Sequence, residues 1–593
     1  MDWSRELVAS LAWLAQAFVI SIIGMTVGIL LIARFTVWGR QFRRLTWEYF
    51  SPRRSKKPLL WLSLIVLLTL FAVRMDVLFS FWYNGFYSAL QQLDMGTFWF
   101  MLGVFAVLAA IHVGRALLAF WLNQSLLIRW RAWMTDAMMD RWLGRQVYYR
   151  SSYVDEVTDN PDQRIQQDIQ SFVTTSLSLL MGLLSAVVSL IAFSIILWGL
   201  SGPMTIAGMA LSHGMVFVVY VYVLIATAFA VKLGHPLIRL SFLAEKFNAN
   251  FRYALIRLRE YSESIAFFNG EAVERDGLGR RFAQVIGNSW AIMYRTLKFS
   301  GFNLVISQAS VVFPFIVQAP RLFSKQITLG DVMQTSQAFG QVEGALSFFR
   351  SSYDDFAGYR AVLLRLNGFL DLIETTEALP GPQIAHQPRD FGVRALDVTV
   401  PSGEVLLKDL NLQLAPGSSL LVRGRSGVGK TTLLRAVAGL WPFVKGTVVR
   451  PEGGRAIFLP QEPYLPLGTL RAALYYPAAP LDGEEAARVL EDCLLAKLIP
   501  RLDDEDDWSR ILSPGEQQRL AIGRVLLAQP QMVFLDEASS AMDESLEHAM
   551  YTLVRTRLPE VIMISVGHRS SLLAFHSEEL ELLGEGKWNL APL

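Results

Sequence analysis

Residues 12–34, AWLAQAFVISIIGMTVGILLIAR, stay apolar for longer than the ~20 residues needed to cross a bilayer. Such a run constrains the fold more than any motif, because its side chains need hydrocarbon around them. It exceeds the ~7–15 apolar residues of a signal peptide, and no small-residue cleavage site follows it. Comparable stretches follow at 58–81, 98–121, 172–200, 208–234, 299–319 and 329–350. The last is the most polar; its TSQAFGQVEGALSFF segment would escape a simple hydropathy window.

Charge supports seven crossings. The loop after the first span carries Arg34, Arg40, Arg43, Arg44, Arg53, Arg54, Lys56 and Lys57, which places it on the cytoplasmic side. Alternation then puts 82–97 outside, where there is no Lys or Arg, and 122–171 inside, with Arg129, Arg131, Arg141, Arg145 and Arg150. The uncharged 201–207 loop falls outside and the Arg- and Glu-rich 235–298 segment inside. Seven crossings leave the N-terminus outside and the C-terminal half in the cytoplasm, for a multi-pass protein of the cytoplasmic (plasma) membrane.

Composition agrees with a membrane part joined to a soluble part. The chain has 593 residues, beyond the ~250–300 at which a single core stops growing. It is 52% hydrophobic and only 18% charged, against ~25% for a soluble domain. A net charge of +2 excludes a nucleic-acid-binding surface, and a single cysteine, Cys493, excludes an intrachain disulfide or a thiolate metal cluster. RWRAWMTDAMMDRWLGR and EKFNANFRYALIRLREYSESIAFF repeat apolar residues at three- and four-residue spacing, so they read as helical extensions of the spans. The expected organisation is a transmembrane domain over 1–373, a linker over 374–392 broken by Pro380, Pro382 and Pro388, and a nucleotide-binding domain over 393–593.

The chemistry lies in the second half. LLVRGRSGVGKTTLLRA (420–436) is a short apolar strand, a glycine-rich loop and a helical pattern. Gly424, Arg425, Ser426, Gly427, Val428, Gly429, Lys430 and Thr431, followed by Thr432, fit G-x-x-x-x-G-K-[ST] in that context. The glycines let backbone N–H groups wrap the phosphates of ATP at a helix N-terminus. Lys430 then reaches the β- and γ-phosphates, and the Thr431 hydroxyl ligates Mg²⁺. MVFLDE (532–537) is an apolar strand ending in two acids, where Asp536 holds Mg²⁺ and Glu537 polarises the attacking water.

Between these elements lies Leu512-Ser513-Pro514-Gly515-Glu516-Gln517-Gln518-Arg519, which resembles the LSGGQ signature of ATP-binding cassette (ABC) ATPases. Pro514 and Glu516 depart from it. Gln461 in LPQEPY resembles that family's Q-loop, Ser540-Ala541-Met542-Asp543 its D-loop and His568 in SVGHR its H-loop. The resemblance implies an α-helical, exporter-like transmembrane domain with one extra N-terminal helix, followed by an α/β P-loop ATPase. It also implies head-to-tail cassettes in a homodimer, with Ser513 and Gly515 contacting the γ-phosphate in trans. Glu537 is then the general base, His568 holds the γ-phosphate, Gln461 senses Mg²⁺ and water, and Asp543 communicates across the dimer. The aromatic residue that usually stacks on adenine is missing from 398–404. Pro514 removes a backbone N–H that the usual glycine offers to phosphate.

In the membrane half, Trp82–Gln91 (WYNGFYSALQ) and Asn160–Asp168 (NPDQRIQQD) resemble the SbmA/BacA-like transporters, whose actinobacterial members fuse this domain to a cassette. That likeness implies uptake of hydrophilic cargo: cobalamin, bleomycin-like compounds and antimicrobial peptides. A resemblance to peroxisomal acyl-CoA transporters keeps export of acyl-CoA-like amphiphiles open, beside a non-pumping ATP-gated channel. No docking domain for an extracellular binding protein is recognisable.

Asn160-Pro161-Asp162 reads equally as a helix-start turn and as a coupling element. Gln334, Gln337 and Gln341 share one helix face, from which Glu343 is turned away. Asn303, Ser307 and Gln308 give the preceding span a polar stripe. In lipid such stripes must face protein or water, as interhelical contacts or, preferably, as a water-filled cavity for cargo. His112 reads as a packed histidine and Arg115 as an intramembrane candidate. Arg74 and Asp76 either act there or snorkel to the interface.

Overall fold

The computed structural model describes residues 3–154, 160–202, 204–206, 209–211, 214–453 and 455–593. The chain divides into two compact units, Met1–Met139 with Asp159–Leu370 and Asp140–Thr158 with Asp371–Leu593.

The first unit is helical. Its long helices are α1 (Trp3–Phe35), α3 (Lys57–Gln92), α4 (Met95–Leu143), α5 (Ile169–Leu200), α6 (Gly214–Glu260), α7 (Glu271–Phe323) and α8 (Leu329–Glu377); α2 (Val37–Phe50) is short and amphipathic. Among the described residues six of these regions, and not the seven expected, are long and apolar enough to cross a membrane, the first starting at Val8 and the last ending at Phe323. The expected seventh, α8, is 49 residues long but polar. At 1.5 Å per residue, the 49 residues of α4 reach about 74 Å, well beyond a ~30 Å hydrocarbon core. The span expected from residue 208 becomes helical only at Gly214, after two short paired strands, Met204–Ile206 and Met209–Leu211. Residues 203, 207–208 and 212–213 fall outside the described residues.

Val77 of α3, Phe193 and Leu197 of α5, Val219 and Val223 of α6, and Phe339 and Val342 of α8 fill one interior cluster. The extra helix α1 lays Leu14, Phe18 and Ile22 against Val66, Leu70 and Leu184. Arg74 of α3 is buried, pairs with Glu6 of α1 and donates from Nε to Ser10 Oγ at 3.0 Å. Its guanidinium thus meets a carboxylate and a hydroxyl of α1 instead of standing in open solvent. His112 packs edge-on to Phe79 at 6.0 Å, and Arg115 Nη1 donates to Leu68 O at 3.4 Å.

The second unit is α/β. Its strands are β1 (Gln383–Gln387), β2 (Phe391–Thr399), β3 (Val405–Leu414), β4 (Ser419–Gly424), β5 (Val444–Pro451), β6 (Ala456–Leu459), β7 (Met532–Asp536), β8 (Ile562–Val566), β9 (Glu578–Gly584) and β10 (Lys587–Pro592). Of the two larger sheets, one has the order β10-β9-β4-β8-β7-β6, parallel except for the edge strand β10, and the other has the order β1-β5-β2-β3; Gly468–Thr469 and Glu505–Asp506 form a separate short pair. Strands β4, β7 and β8 are near-continuous apolar runs because both faces are covered. Val533, Leu535 and Met563 face a cluster around Trp508 and Leu520, while Phe534, Ile562 and Ile564 face one around Phe391 and Leu433.

Two boundaries differ from the sequence expectation. Residues 374–377 complete α8, and 383–387, inside the expected linker, pair in parallel with β5 (Gln383 opposite Thr447). QIAHQ carries too little apolar alternation to announce a strand. Residues 140–154, expected as a helical extension within the membrane domain, belong instead to the ATPase unit. Tyr153 stands edge-on to Trp441 at 5.0 Å and to Phe443 at 6.3 Å, and Arg150 Nη2 donates to the Leu379 and Pro380 carbonyls at 2.8 and 2.9 Å.

Candidate functional site

The site is assembled at the carboxyl ends of adjacent parallel strands. Strand β4 delivers the loop 425–429 to α9 (Lys430–Ala438); β8 leads to His568, β7 ends in Asp536 and is followed by Glu537, and β6 leads to Gln461. This edge is where open parallel sheets bind ligands. Gly424, Gly427 and Gly429 have φ of 146°, 81° and 106°, values that L side chains avoid. At Gly424 a Cβ would also lie 2.6 Å from the Leu582 carbonyl oxygen. Arg425, Ser426 and Gly427 form the exposed crest; Val428 and Thr432 are half-buried.

Lys430 is buried, and its Nζ donates to the carbonyls of Gly424 (2.9 Å) and Arg425 (3.1 Å). Burial pulls its ammonium below the usual lysine range, against the opposing charges of Glu537 and Asp536. Thr431 Oγ1 donates to Asp536 Oδ1 at 3.2 Å. Burial holds the Asp536 carboxyl above the usual carboxylate range; the Thr431 hydroxyl works against this and Glu537 with it. A hydroxyl and a carboxylate oxygen converging beside the phosphate loop are hard donors suited to Mg²⁺.

Glu537 sits in the left-handed region at φ 51°, a strained conformation for a non-glycine residue, and its N–H donates to Val566 O at 3.1 Å. The turn brings its Oε1 to 3.4 Å from His568 Nε2. The side chain expected to act on the attacking water and the one expected to hold the γ-phosphate therefore meet at the ends of β7 and β8.

Both signature departures have a local cause. Ser513 is the N-cap of α10 (Pro514–Ala528) and Pro514 its first residue, a position whose N–H has no partner within the helix. Glu516 closes a capping box: its Oε2 accepts from the Ser513 N–H and hydroxyl, both at 2.9 Å. Although its burial acts the other way, an ion pair with Lys497 and those Ser513 bonds hold the Glu516 carboxyl at about 2. Gly515 sits where a Cβ would lie 2.9 Å from the Ala541 carbonyl oxygen, so the signature and the D-loop need a glycine to approach. No hydrogen bond among the described residues joins Ser513 or Gly515 to 424–432 of the same chain. Asp543 is exposed and caps α11 (Glu544–Arg557), accepting from Leu546 N at 2.8 Å and Ser545 Oγ at 2.7 Å.

Two networks were not anticipated from the sequence. Buried Glu547 accepts from Ser539 (2.6 Å), Ser571 (2.7 Å) and Arg569 (3.4 Å), while Arg569 also donates to Met542 O at 2.9 Å, fixing the D-loop to the residues around His568. In the helical unit, buried Asp168 pairs with Arg164 (2.6 Å) and with Arg365 of α8 (2.9 and 2.6 Å). Within the NPDQ element Pro161 opens a helical turn, as the helix-start reading expects, but the Asn160 side chain does not cap it.

The six polar membrane residues differ in burial and partners. Gln334 is buried and accepts from Asn84 Nδ2 at 2.8 Å, as does Asp331, so it serves as an interhelical contact. Gln337 Oε1 and Asn303 Oδ1 are buried without a hydrogen-bond partner among the described residues. Gln341 is half-buried, and Ser307 and Gln308 are exposed.

Comparison with known proteins matches residues 45–323 to the ABC transporter transmembrane region 2 family and 407–540 to the ABC transporter family. An uncharacterized ABC transporter ATP-binding protein of Haemophilus influenzae is 48% identical over 100% of both chains. The inner membrane ABC transporter ATP-binding protein YddA of Escherichia coli is 33% identical over 92% of this chain and 94% of its own. The lysosomal cobalamin transporter ABCD4 of Homo sapiens is 30% identical over 78% and 82%. A bacterial Atm1-family ABC exporter with ATP bound shares the fold at a TM-score of 0.69, with 17% identity over 90% of this chain and 95% of that one.

Proposed function

Because this chain belongs to the ABC transporters that fuse a transmembrane region to an ATPase in one polypeptide, we propose that it is a homodimeric, ATP-driven importer of hydrophilic solutes such as cobalamin. The reading places it in the cytoplasmic membrane with its N-terminus outside. The observation that carries the energy coupling is the convergence of Lys430, Asp536, Glu537 and His568 at one sheet edge. The polar α8 and the kinship with a cobalamin transporter support the cargo class. The likeness of 82–91 and 160–168 to SbmA/BacA-like transporters supports inward transport.

In this scheme the loop 424–432 binds the triphosphate, Lys430 leaving its own loop carbonyls for phosphate oxygens. Thr431 and Asp536 would hold Mg²⁺, which when bound offsets the charge developing on the phosphates. Glu537 takes the proton of the attacking water, and His568 orients the γ-phosphate. Ser513 and Gly515 close on the nucleotide of the second copy, which accounts for a signature with no bond to its own phosphate loop. Gln461 senses the bound state and Asp543 signals between the copies.

The test is uptake of labelled cobalamin by cells lacking other cobalamin transporters, comparing wild type with Glu537→Gln. Uptake by the wild type alone is expected. Equal uptake by both would indicate passive or ATP-gated passage, and uptake by neither would remove cobalamin as an imported cargo.

A further inference from the structure

Gln518 lies one turn into α10, three residues beyond Gly515, and is only 2% exposed. Its Nε2 donates to the backbone carbonyl of Gln461 at 2.8 Å and to Ser540 Oγ at 3.1 Å, and its Oε1 accepts from the Ala541 N–H at 3.0 Å. One buried amide thus uses two donors and an acceptor on two separate loops, each carrying a residue assigned to the ATP reaction. The Gln461 side chain stays exposed while its backbone is anchored. Residues three apart share a helix face: a Cβ on Gly515 would lie 2.9 Å from the Ala541 carbonyl oxygen and Gln518 binds the Ala541 N–H, so α10 approaches one D-loop residue at two points.

From this junction we infer that Gln518 is a positioning residue for ATP hydrolysis, setting the Gln461 loop and the D-loop in fixed register with the signature helix. Only an uncharged amide suits the place. A carboxylate would set negative charge against the Gln461 carbonyl, and an apolar side chain would leave that carbonyl and the Ala541 N–H unpaired in a dry site. A protonated carboxylic acid restores one donor and keeps the acceptor. The inference needs only ATPase activity, so it stands or falls apart from the cargo, direction and dimer readings.

The test uses full-length protein in lipid nanodiscs, with ATPase rates over a range of ATP concentrations and each rate divided by the ATP-binding sites counted in the same sample. Gln518→Met is expected to lower kcat about tenfold, or ~1.4 kcal/mol in the activation barrier, with the KM for ATP within about twofold. Gln518→Glu is expected to be as slow at pH 8 but to recover at least about threefold relative to wild type at pH 6, as its buried carboxyl takes up a proton. Recovery confined to the Glu variant is a signature that loss of folded protein cannot produce. Rates within twofold of wild type for both variants, or a deficit in Gln518→Glu that is the same at both pH values, would overturn the assignment. If Gln518→Met fails to fold, the pH profile of Gln518→Glu decides alone.

Discussion

Docking of 140–154 into the ATPase unit rests on few contacts, so its strength can be worked out. Tyr153 meets Trp441 and Phe443 edge-on, and aromatic pairs of this kind contribute ~0.5–1.5 kcal/mol each. Tyr153→Ala removes both and should weaken local docking by about 1–3 kcal/mol, or about 5- to 150-fold at ~1.4 kcal/mol per tenfold. Tyr153→Phe keeps both rings and loses only the hydroxyl's bonds, to Tyr149 at 2.9 Å and to Arg435, so it should retain the protection that the ring contacts supply. Hydrogen exchange of the 147–153 amides in nanodisc-embedded protein reads these factors directly, because local opening sets the rate. Loss of protection in Tyr153→Ala, with β7 and β8 unchanged, is expected. Equal protection in all three proteins would show that the aromatic contacts do not hold the segment.

His576 supplies a pH prediction. Its Nδ1–H donates to Leu572 O at 2.7 Å, its Nε2 accepts from Ser565 Oγ at 2.8 Å, and burial lowers it from 6.5 to about 4. The unfolded chain therefore binds the proton more readily, so stability is full above pH 6.5 and is lost as pH falls towards 4, by about 3 kcal/mol; thermal melts of His576→Gln should show a flatter profile across that window. Gly515→Ala forces a Cβ to 2.9 Å from the Ala541 oxygen and should cost about 1–3 kcal/mol of local strain, lowering the ATPase kcat more than the melting temperature; unchanged turnover would dismiss that contact. Cys493 is fully buried and its thiol is pushed up to about 12, so maleimide should label it only after denaturation.

What was legible in the sequence follows from how tightly chemistry fixes residue type. Wrapping a triphosphate requires glycines with positive φ, one lysine and one hydroxyl, so 424–432 could be read at once, and the two acids closing an apolar strand located β7. The six apolar spans were equally plain; α8 was not, because its Gln334 is matched by a partner, Asn84, that only the folded bundle supplies. Ser513-x-x-Glu516 was a readable capping box that the comparison with LSGGQ obscured. The Gln518 junction, the Glu547 network and the Asp168 pair with Arg365, whose partners lie 197 residues apart, join distant parts of the chain and leave no local pattern. Docking of 140–154 was hidden because the helical periodicity runs on to Leu143, and the break follows at Arg145 and Gln146, with φ of 48° and 60°.

Hydrolysis-driven movement of a hydrophilic solute towards the ATPase side is tested most directly in vesicles. Protein is reconstituted and loaded inside with labelled cobalamin, and Mg-ATP is added outside, so that only cassettes facing outward are fuelled and their side stands for the cytoplasm. Wild type should empty the vesicles in an ATP-dependent manner while Glu537→Gln retains the label. Retention by wild type under active hydrolysis, or ATP-driven filling when the label is supplied outside, would contradict import.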